Sequence, residues 1–282
     1  MKERSGNNRL FALNGILTPS YASVYGLYDI RFLNALSITS YQYFVEKYIK
    51  EQKNYNYKNW FDANYFLKKP INENNQYIVH FRSDFLKAIN LLGVKYIISS
   101  KKQDLEWIKK VYPTWMSELK LVYTDPFVYI YENTGSLPRA FFVNHYFSVS
   151  SYQEAQKIAM SENVDIKKTA VLEKPIPAGI DNNASLIGTA KISVYQDENV
   201  IINTVSDKPA MLVLTDSYYP GWTALMDGKK TEIYRVDGLV RGVFVPAGVH
   251  EIQFYYLPGV FILGLILLSL SLVLCIFFIL KK

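Results

Sequence analysis

Cysteine and histidine are scarce in this sequence, and their scarcity removes several kinds of chemistry. The one cysteine, Cys275, lies in an apolar C-terminal run, so the rest of the chain has no disulfide and no thiolate. The three histidines, His80, His145 and His250, are far apart, and none has the spacing of a metal-ligand pair. We therefore expect no metal site and no cofactor.

Motifs for catalysis and for nucleic-acid binding are missing as well. The sequence contains no GxxxxGK[ST] phosphate loop, no GxGxxG after a strand, no GxSxG and no Asp-x-Asp pair. Carboxylates such as Glu132, Asp216 and Asp227 do not have the spacing of a catalytic pair. The basic residues are scattered, without the runs and interleaved aromatics that nucleic-acid binding requires. We expect no nucleic-acid partner and no catalytic residue, so that this chain alone is not a complete enzyme.

An uncharged apolar run, "VFILGLILLSLSLVLCIFFIL", stands close to the C-terminus at residues 260–280. A run of this length can cross a bilayer, and it is apolar on all sides rather than on one stripe. We expect a single transmembrane helix at 259–280, with the lipid bilayer as its partner.

The charges beside this run predict its orientation. Lys281 and Lys282 follow it, whereas "GVHEIQFYYLPG" before it has no Lys or Arg, so the C-terminus is expected in the cytoplasm. The bulk of the chain would then be extracytoplasmic, with Tyr255 and Tyr256 at the outer interface. The first residues lack the apolar core of a signal peptide. Two explanations remain: a C-terminal piece of a longer multi-span protein, which the charges favour, or a tail-anchored cytoplasmic domain.

Hydrophobic periodicity predicts an α+β fold. The first half mixes helical patterns with strands; "SDFLKAINLLG" reads as a capped helix ended by Gly93, and "LKLVYTDPFVYIYENTG" as a hairpin. From Ser185 onward, seven short alternating segments are separated by turn residues, a pattern typical of an antiparallel β-sandwich. The expected divisions are an N-terminal mixed α/β subdomain at 1–136, a strand–helix–strand connection at 137–183, the β-sandwich at 184–258, the transmembrane helix at 259–280 and a cytoplasmic tail at 281–282.

The segment "DSYYPGWTALMDGKK" offers the first candidate binding site. Tyr218, Tyr219 and Trp222 could stack on a sugar face, while Asp216 or Arg241 hydrogen-bonds hydroxyl groups. Alternatively, Pro-Gly and Asp-Gly are ordinary turns, Trp222 fills the sandwich core, and the tyrosines pack on an edge. The turn chemistry favours the second interpretation.

A tyrosine-rich segment near the N-terminus is the second candidate. Tyr21, Tyr25 and Tyr28 accompany Asp29 and Arg31 on an irregular stretch, a combination that suits a polar ligand. Of these, Tyr25 and Asp29 are the expected ligand contacts. The alternative is a loop packed on its neighbouring helix.

Several segments, taken in order, resemble the bacterial YfhO family of membrane proteins. They are "SVYGLYDIRF", "LLGVKYIIS", "VYIYEN", "LPRAFFV", "DSYYPGWTALMDGKKTEI" and "VDGLVRGVFVPAGVHEIQFYYLPGVFILG". The resemblance implies a multi-span, GT-C type glycosyltransferase that uses a lipid-linked sugar donor and modifies an envelope glycopolymer outside the cell. The chain lacks that family's many N-terminal spans, and no position here can inherit its catalytic carboxylate.

Two functions from different classes follow. The chain is either the membrane-anchored extracytoplasmic region of a YfhO-like glycosyltransferase, with a multi-span catalytic chain as partner, or a stand-alone membrane-anchored module. In the first case it would position a lipid-linked sugar donor or an envelope glycopolymer acceptor. In the second it would bind carbohydrate or protein.

Overall fold

The computed structural model describes residues 6–13, 17, 21–31, 38–49, 84–99, 117–175 and 186–281. The helices in this part are α1 (Tyr21–Val24), α2 (Thr39–Phe44) continued by a π-helical turn (Val45–Ile49), α3 (Phe85–Leu91), α4 (Tyr152–Ala159) and α5 (Gly259–Leu280). The strands are β1 (Arg9–Ala12), β2 (Tyr28–Asp29), β3 (Val94–Ser99), β4 (Leu119–Thr124), β5 (Tyr129–Asn133), β6 (Ala140–Val143), β7 (His145–Ser148), β8 (Thr169–Leu172), β9 (Gly188–Tyr195), β10 (Asn199–Ser206), β11 (Ala210–Ser217), β12 (Trp222–Met226), β13 (Lys229–Thr231), β14 (Tyr234–Val236), β15 (Val240–Val245) and β16 (Gly248–Tyr256).

The first sheet has the strand order β2-β1-β3-β5-β4 and mixes directions. Strand β1 runs parallel to both β2 and β3, whereas β3, β5 and β4 pair antiparallel. Gly93 lies between α3 and β3 with a φ of 66°, a value that glycine adopts without strain, and so ends the helix as predicted. The predicted hairpin is confirmed as β4 and β5, joined by a turn in which Asp125 accepts bonds from two backbone amides.

Two further sheets pack face to face and form the β-sandwich. One has the order β13-β12-β16-β10-β9 and the other β6-β11-β15-β14-β8-β7. Their shared core contains Leu212, Val243, Ile202 and Phe254, each fully buried. The seven predicted segments all form strands, but "KTEIYRVD" divides into β13 and β14. These two short strands belong to different sheets, so the chain crosses the sandwich between them.

The sheet that contains β11 also packs on its opposite face. Met211, Val213 and Val236 join a second core with the helical layer and with the first sheet. Strands β6, β7 and β8 come from the predicted connection at 137–183, yet they hydrogen-bond into this same sheet. The sandwich therefore includes strands that precede residue 184 in sequence.

Turn chemistry accounts for the tight corners of the sandwich. Asp227 and Gly228 both have positive φ, at 51° and 77°, and connect β12 to β13 as the Asp-Gly signal predicts. Asp237 and Gly238 form the corner before β15, with φ values of 54° and 64°. A side chain on Gly238 would clash with the backbone oxygen of Tyr152, so α4 lies directly over that corner.

Helix α5 follows β16 after Leu257 and Pro258. It has 22 residues, a length of about 33 Å at the usual helical rise, which matches a bilayer core of about 30 Å. None of its residues is buried against the rest of the described chain. The predicted α+β fold with one C-terminal apolar helix is confirmed.

Candidate functional site

The aromatic corner, formed by Tyr219, Trp222 and Tyr256, lies where the sandwich meets α5. Strand pairing places Trp222 opposite Tyr256, with 5.4 Å between their ring centroids. Tyr219 is exposed, and its ring centroid lies 6.3 Å from that of Tyr256. Because Tyr256 stands three positions before Gly259, the first residue of α5, all three rings lie beside the start of the apolar helix.

Gly221 permits the close packing of this corner. Its φ of 103° is unfavourable for other residues, and an added Cβ would lie 2.8 Å from the Tyr256 ring and 3.3 Å from Pro258. The Gly221 carbonyl accepts a 3.2 Å hydrogen bond from the amide of Leu257. Pro220 and Gly221 thus form the turn that the Pro-Gly pair predicts, and this turn packs against the beginning of α5.

Tyr218 points away from the aromatic corner, so the expected set of three rings is not one platform. Its ring lies under the guanidinium of Arg235, whose Cζ is 4.7 Å from the ring centroid. The same guanidinium lies 5.5 Å from the ring of Tyr152 on α4. The third ring beside Tyr219 and Trp222 is that of Tyr256 instead of Tyr218. Trp222 packs against the sandwich core, as a core residue would, but it is only partly buried, as a ligand-binding ring would be.

Behind Trp222 lies the guanidinium cluster, in which Arg9, Arg139 and Arg241 surround Asp216. Arg9 Nη2 and Arg139 Nη2 donate to Asp216 Oδ1 at 2.8 and 2.7 Å. Arg241 Nη2 donates to Asp216 Oδ2 at 3.0 Å. The side chains are 17%, 6% and 3% exposed for the three arginines and 12% for the aspartate. Asp216 and Arg241 thus bond to each other, rather than standing free as separate hydroxyl-binding groups.

The cluster joins all three sheets. Arg9 belongs to β1, Asp216 and Arg241 to β11 and β15, and Tyr195 of β9 donates its hydroxyl to Asp216 Oδ1 at 3.1 Å. Two guanidinium groups also stack on aromatic rings. Arg139 Cζ lies 4.8 Å from the Tyr195 ring centroid, and Arg241 Cζ lies 3.7 Å from that of Trp222. The aromatic corner and the guanidinium cluster are therefore in direct contact.

Burial and charge act in opposite directions on these groups. Burial alone would raise the pKa of Asp216, but the charges of Arg139, Arg9 and Arg241 outweigh it and lower that pKa. Burial, with repulsion from Arg9, lowers the pKa of Arg139 to about 10. Burial likewise lowers the pKa of Arg241 to about 10. Three guanidinium groups face one carboxylate, so the cluster has a formal net charge of +2.

The tyrosine-rich segment contributes differently from expectation. Tyr25 is exposed, but Asp29 forms a buried ion pair with Arg31 at 2.7 Å, with side chains 2% and 1% exposed. Burial raises the pKa of Asp29 despite this pairing. Since the Arg31 guanidinium occupies both carboxylate oxygens, the expected contact between Asp29 and a ligand does not fit this geometry.

Tyr28 is the residue that links this segment to the cluster. It pairs with Arg9 in the strand register, and its ring lies 5.5 Å from that of Tyr195. Sequence reasoning did not identify Arg9, Arg139 or Tyr195. One signal was available, because a carboxylate at the end of the apolar strand "AMLVLTD" requires a partner when it is buried.

Within the described residues, no group of three or more His, Cys, Asp or Glu side chains could hold a metal ion. No arrangement in this part of the chain resembles a nucleophile with its base, and the chemistry that the arrangement supports is binding. The guanidinium cluster offers positive charge, and the aromatic corner offers ring faces beside an apolar helix.

Comparison with known families gives a match to the C-terminal part of the chain. Residues 182–268 match the family described as "Bacterial membrane protein YfhO". This match covers the C-terminal strands and the first part of α5, and it confirms the predicted resemblance. No curated protein and no solved structure matches the chain. This match and the apolar helix α5 together support a membrane location for the chain.

Proposed function

We propose that this YfhO-like membrane protein is the membrane-anchored extracytoplasmic region of a GT-C type glycosyltransferase. In this role it helps to position a lipid-linked sugar donor or a cell-envelope glycopolymer acceptor. In this proposal, a multi-span catalytic chain supplies the chemistry. Lys281 and Lys282 support the orientation, since positive residues favour the cytoplasmic side.

The observation that carries this proposal is the position of the aromatic corner. Trp222 and Tyr256 are neighbours across paired strands, and α5 begins three positions after Tyr256. Tryptophan and tyrosine are enriched at the membrane interface, where their rings lie at headgroup level. The sugar of a lipid-linked donor lies at that same level, just outside the apolar core. An exposed ring such as Tyr219 can stack on its face.

The test is photocrosslinking of the full chain in phosphatidylcholine nanodiscs with photoreactive polyprenyl-phosphate hexoses. We expect Tyr219→Ala to lower the crosslinking yield about fivefold or more, as loss of one ring stacking contact of roughly 1 kcal/mol implies. Tyr219→Phe keeps the ring and should retain most of the yield. Tyr123→Ala is the matched control, because Tyr123 on β4 is 48% exposed and Tyr219 is 46% exposed.

Equal yields for the wild-type chain and a folded Tyr219→Ala variant would contradict the proposed role of the aromatic corner. Crosslinking that falls equally in Tyr123→Ala would have the same meaning, since it would indicate contact with tyrosines in general. If glycopolymer fragments compete for the crosslink and free hexoses do not, the acceptor is assigned to the site instead of the donor.

A further inference from the structure

We propose that the guanidinium cluster, Arg9, Arg139 and Arg241, is a binding site for the phosphate group of a lipid-linked ligand. The source of the phosphate rests on the proposed function, whereas the phosphate chemistry rests on the cluster itself. Three observations support the site: an excess of positive charge, N–H groups without acceptors, and a position beside the start of α5.

The charge of the cluster is incompletely neutralised. Asp216 contributes one negative charge against three guanidinium groups, each within 3.0 Å of its oxygens. A buried charge is expensive unless it is paired, and the net charge of +2 leaves two cations without a counter-ion among the described residues. A phosphate monoester carries between one and two negative charges at neutral pH and would pair both cations, whereas a phosphate that also carries a sugar is a diester with one negative charge and would pair one of them.

The cluster also has free hydrogen-bonding capacity. Arg139 Nε and Nη1 and Arg241 Nε are buried and have no acceptor in the described part of the chain. The rings of Tyr195 and Trp222 cover the faces of these guanidinium groups, but the N–H bonds lie in the guanidinium plane and remain unpaired. Arginine presents its N–H groups in a planar fork that matches phosphate oxygens, so the unfilled donors favour this anion.

The geometry gives each residue a separate part. Arg9 is the most exposed of the three arginines, so a ligand would approach the cluster from the side on which Arg9 lies. Its Nη1 is fixed by the Leu92 carbonyl at 2.8 Å, so the guanidinium is oriented before a ligand arrives. Asp216 is a positioning residue, because it accepts from all three arginines and aligns them.

The location explains why the phosphate is lipid-linked. Arg241 stacks on Trp222, and Trp222 pairs with Tyr256 at the start of the apolar helix. A phosphate joined to a polyprenyl chain lies at this level, with its chain in the bilayer beside α5. The sugar attached to the same phosphate would then reach the aromatic corner. One ligand can therefore occupy both parts of the site.

The test uses isothermal titration of the full chain in non-ionic detergent with farnesyl phosphate and with inorganic phosphate. We expect saturable binding of farnesyl phosphate, and a Kd raised about tenfold or more by Arg9→Gln, since a hydrogen bond to a charged group contributes roughly 1.5–3 kcal/mol. Arg235→Gln is the matched control, because Arg235 is 25% exposed, pairs with Glu173 and lies outside the cluster. This variant should bind farnesyl phosphate with a Kd within about twofold of the wild-type value. If Arg9→Gln does not fold, Arg9→Lys replaces it, because lysine keeps the charge but not the fork.

Three results would overturn the inference: no saturable binding to the folded wild-type chain, an unchanged Kd in Arg9→Gln, or equal weakening in Arg235→Gln. Equal affinity for inorganic phosphate would overturn the lipid-linked source. Farnesyl phosphate carries no sugar, so it examines the guanidinium cluster without the aromatic corner. If phosphate binding depends on Arg9 but the sugar crosslinking yield is unchanged in Tyr219→Ala, the proposed function is refuted and the phosphate site is still supported.

Discussion

Replacing Asp216 with asparagine removes the single negative charge of the guanidinium cluster while keeping the size of the side chain. Asp216, on β11, accepts from Arg9 on β1, from Arg139 just before β6 and from Arg241 on β15. In the Asp216→Asn variant the three cations repel one another inside the fold, and one neutral amide oxygen replaces two charged acceptors. We therefore expect the variant to be substantially less stable than the wild-type chain.

The structure gives the expected size of this effect. Removing one partner of a buried ion pair costs about 3–5 kcal/mol, because the remaining charge stays buried. Asp216 has a side chain 12% exposed and faces two arginines that are less exposed still, so the buried-pair estimate applies. For a folded unit of this size, a loss of about 3–5 kcal/mol lowers Tm by roughly 6–20 °C.

The loss should also depend on pH in a defined direction. The arginines hold the pKa of Asp216 below its ordinary value of 3.8, so its stabilising effect is complete above that value and disappears as pH falls through the folded-state pKa. The stability difference between the two proteins should be full at pH 7 and shrink below about pH 4, where the wild-type carboxylate also becomes neutral.

The assay is thermal unfolding of the full chain in detergent micelles, followed by near-ultraviolet circular dichroism. Asp197→Asn serves as the control, because Asp197 is exposed in the turn between β9 and β10 and loses the same charge. We expect that variant to stay within about 0.5 kcal/mol of the wild type. A Tm for Asp216→Asn that matches the Asp197→Asn control at pH 7 would refute the idea that the carboxylate compensates three buried cations.

Two further predictions concern the aromatic corner and the topology. Gly221→Ala should lower the free energy of unfolding by about 1–2 kcal/mol through the positive φ of this residue, and by more through contact with the Tyr256 ring. Gly228 also has a positive φ but has open space around it, so Gly228→Ala should show only the first loss. Equal losses for the two variants in chemical denaturation would contradict the close packing at Gly221. Val249 is exposed, so a Val249→Cys variant that lacks the native cysteine should react with a membrane-impermeant maleimide on intact cells. Labelling only after the cells are lysed would reject the proposed orientation.

Local features of the fold could be predicted from the sequence because their causes are local. The turn at Asp227-Gly228 requires positive φ from two residues that tolerate it, and the apolar character of α5 is a property of one continuous segment. The alternating strands of the sandwich were recognisable for the same reason. The division of "KTEIYRVD" between two sheets was not, because it depends on which neighbours each half finds across the sandwich.

The candidate site was only half predictable. The contact between Arg9 and Asp216 spans 207 positions, and that between Arg139 and Asp216 spans 77, so no local pattern brings them together. The separate positions of Tyr218 and Tyr219 could not be predicted from strand alternation either, because β11 ends at Ser217 and both tyrosines lie beyond it.

The hydrogen bond from Leu257 to Gly221 has a mechanical consequence. Only Leu257 and Pro258 separate β16 from α5, and two residues can extend over no more than about 7 Å. One of the two is tied to the neighbouring turn, and the other has a fixed φ. The linker between β16 and α5 is therefore too short and too constrained for the sandwich to move away from the bilayer independently of the helix. Tilting or rotating α5 would therefore move β16 with it, and the aromatic corner would stay beside the start of the helix.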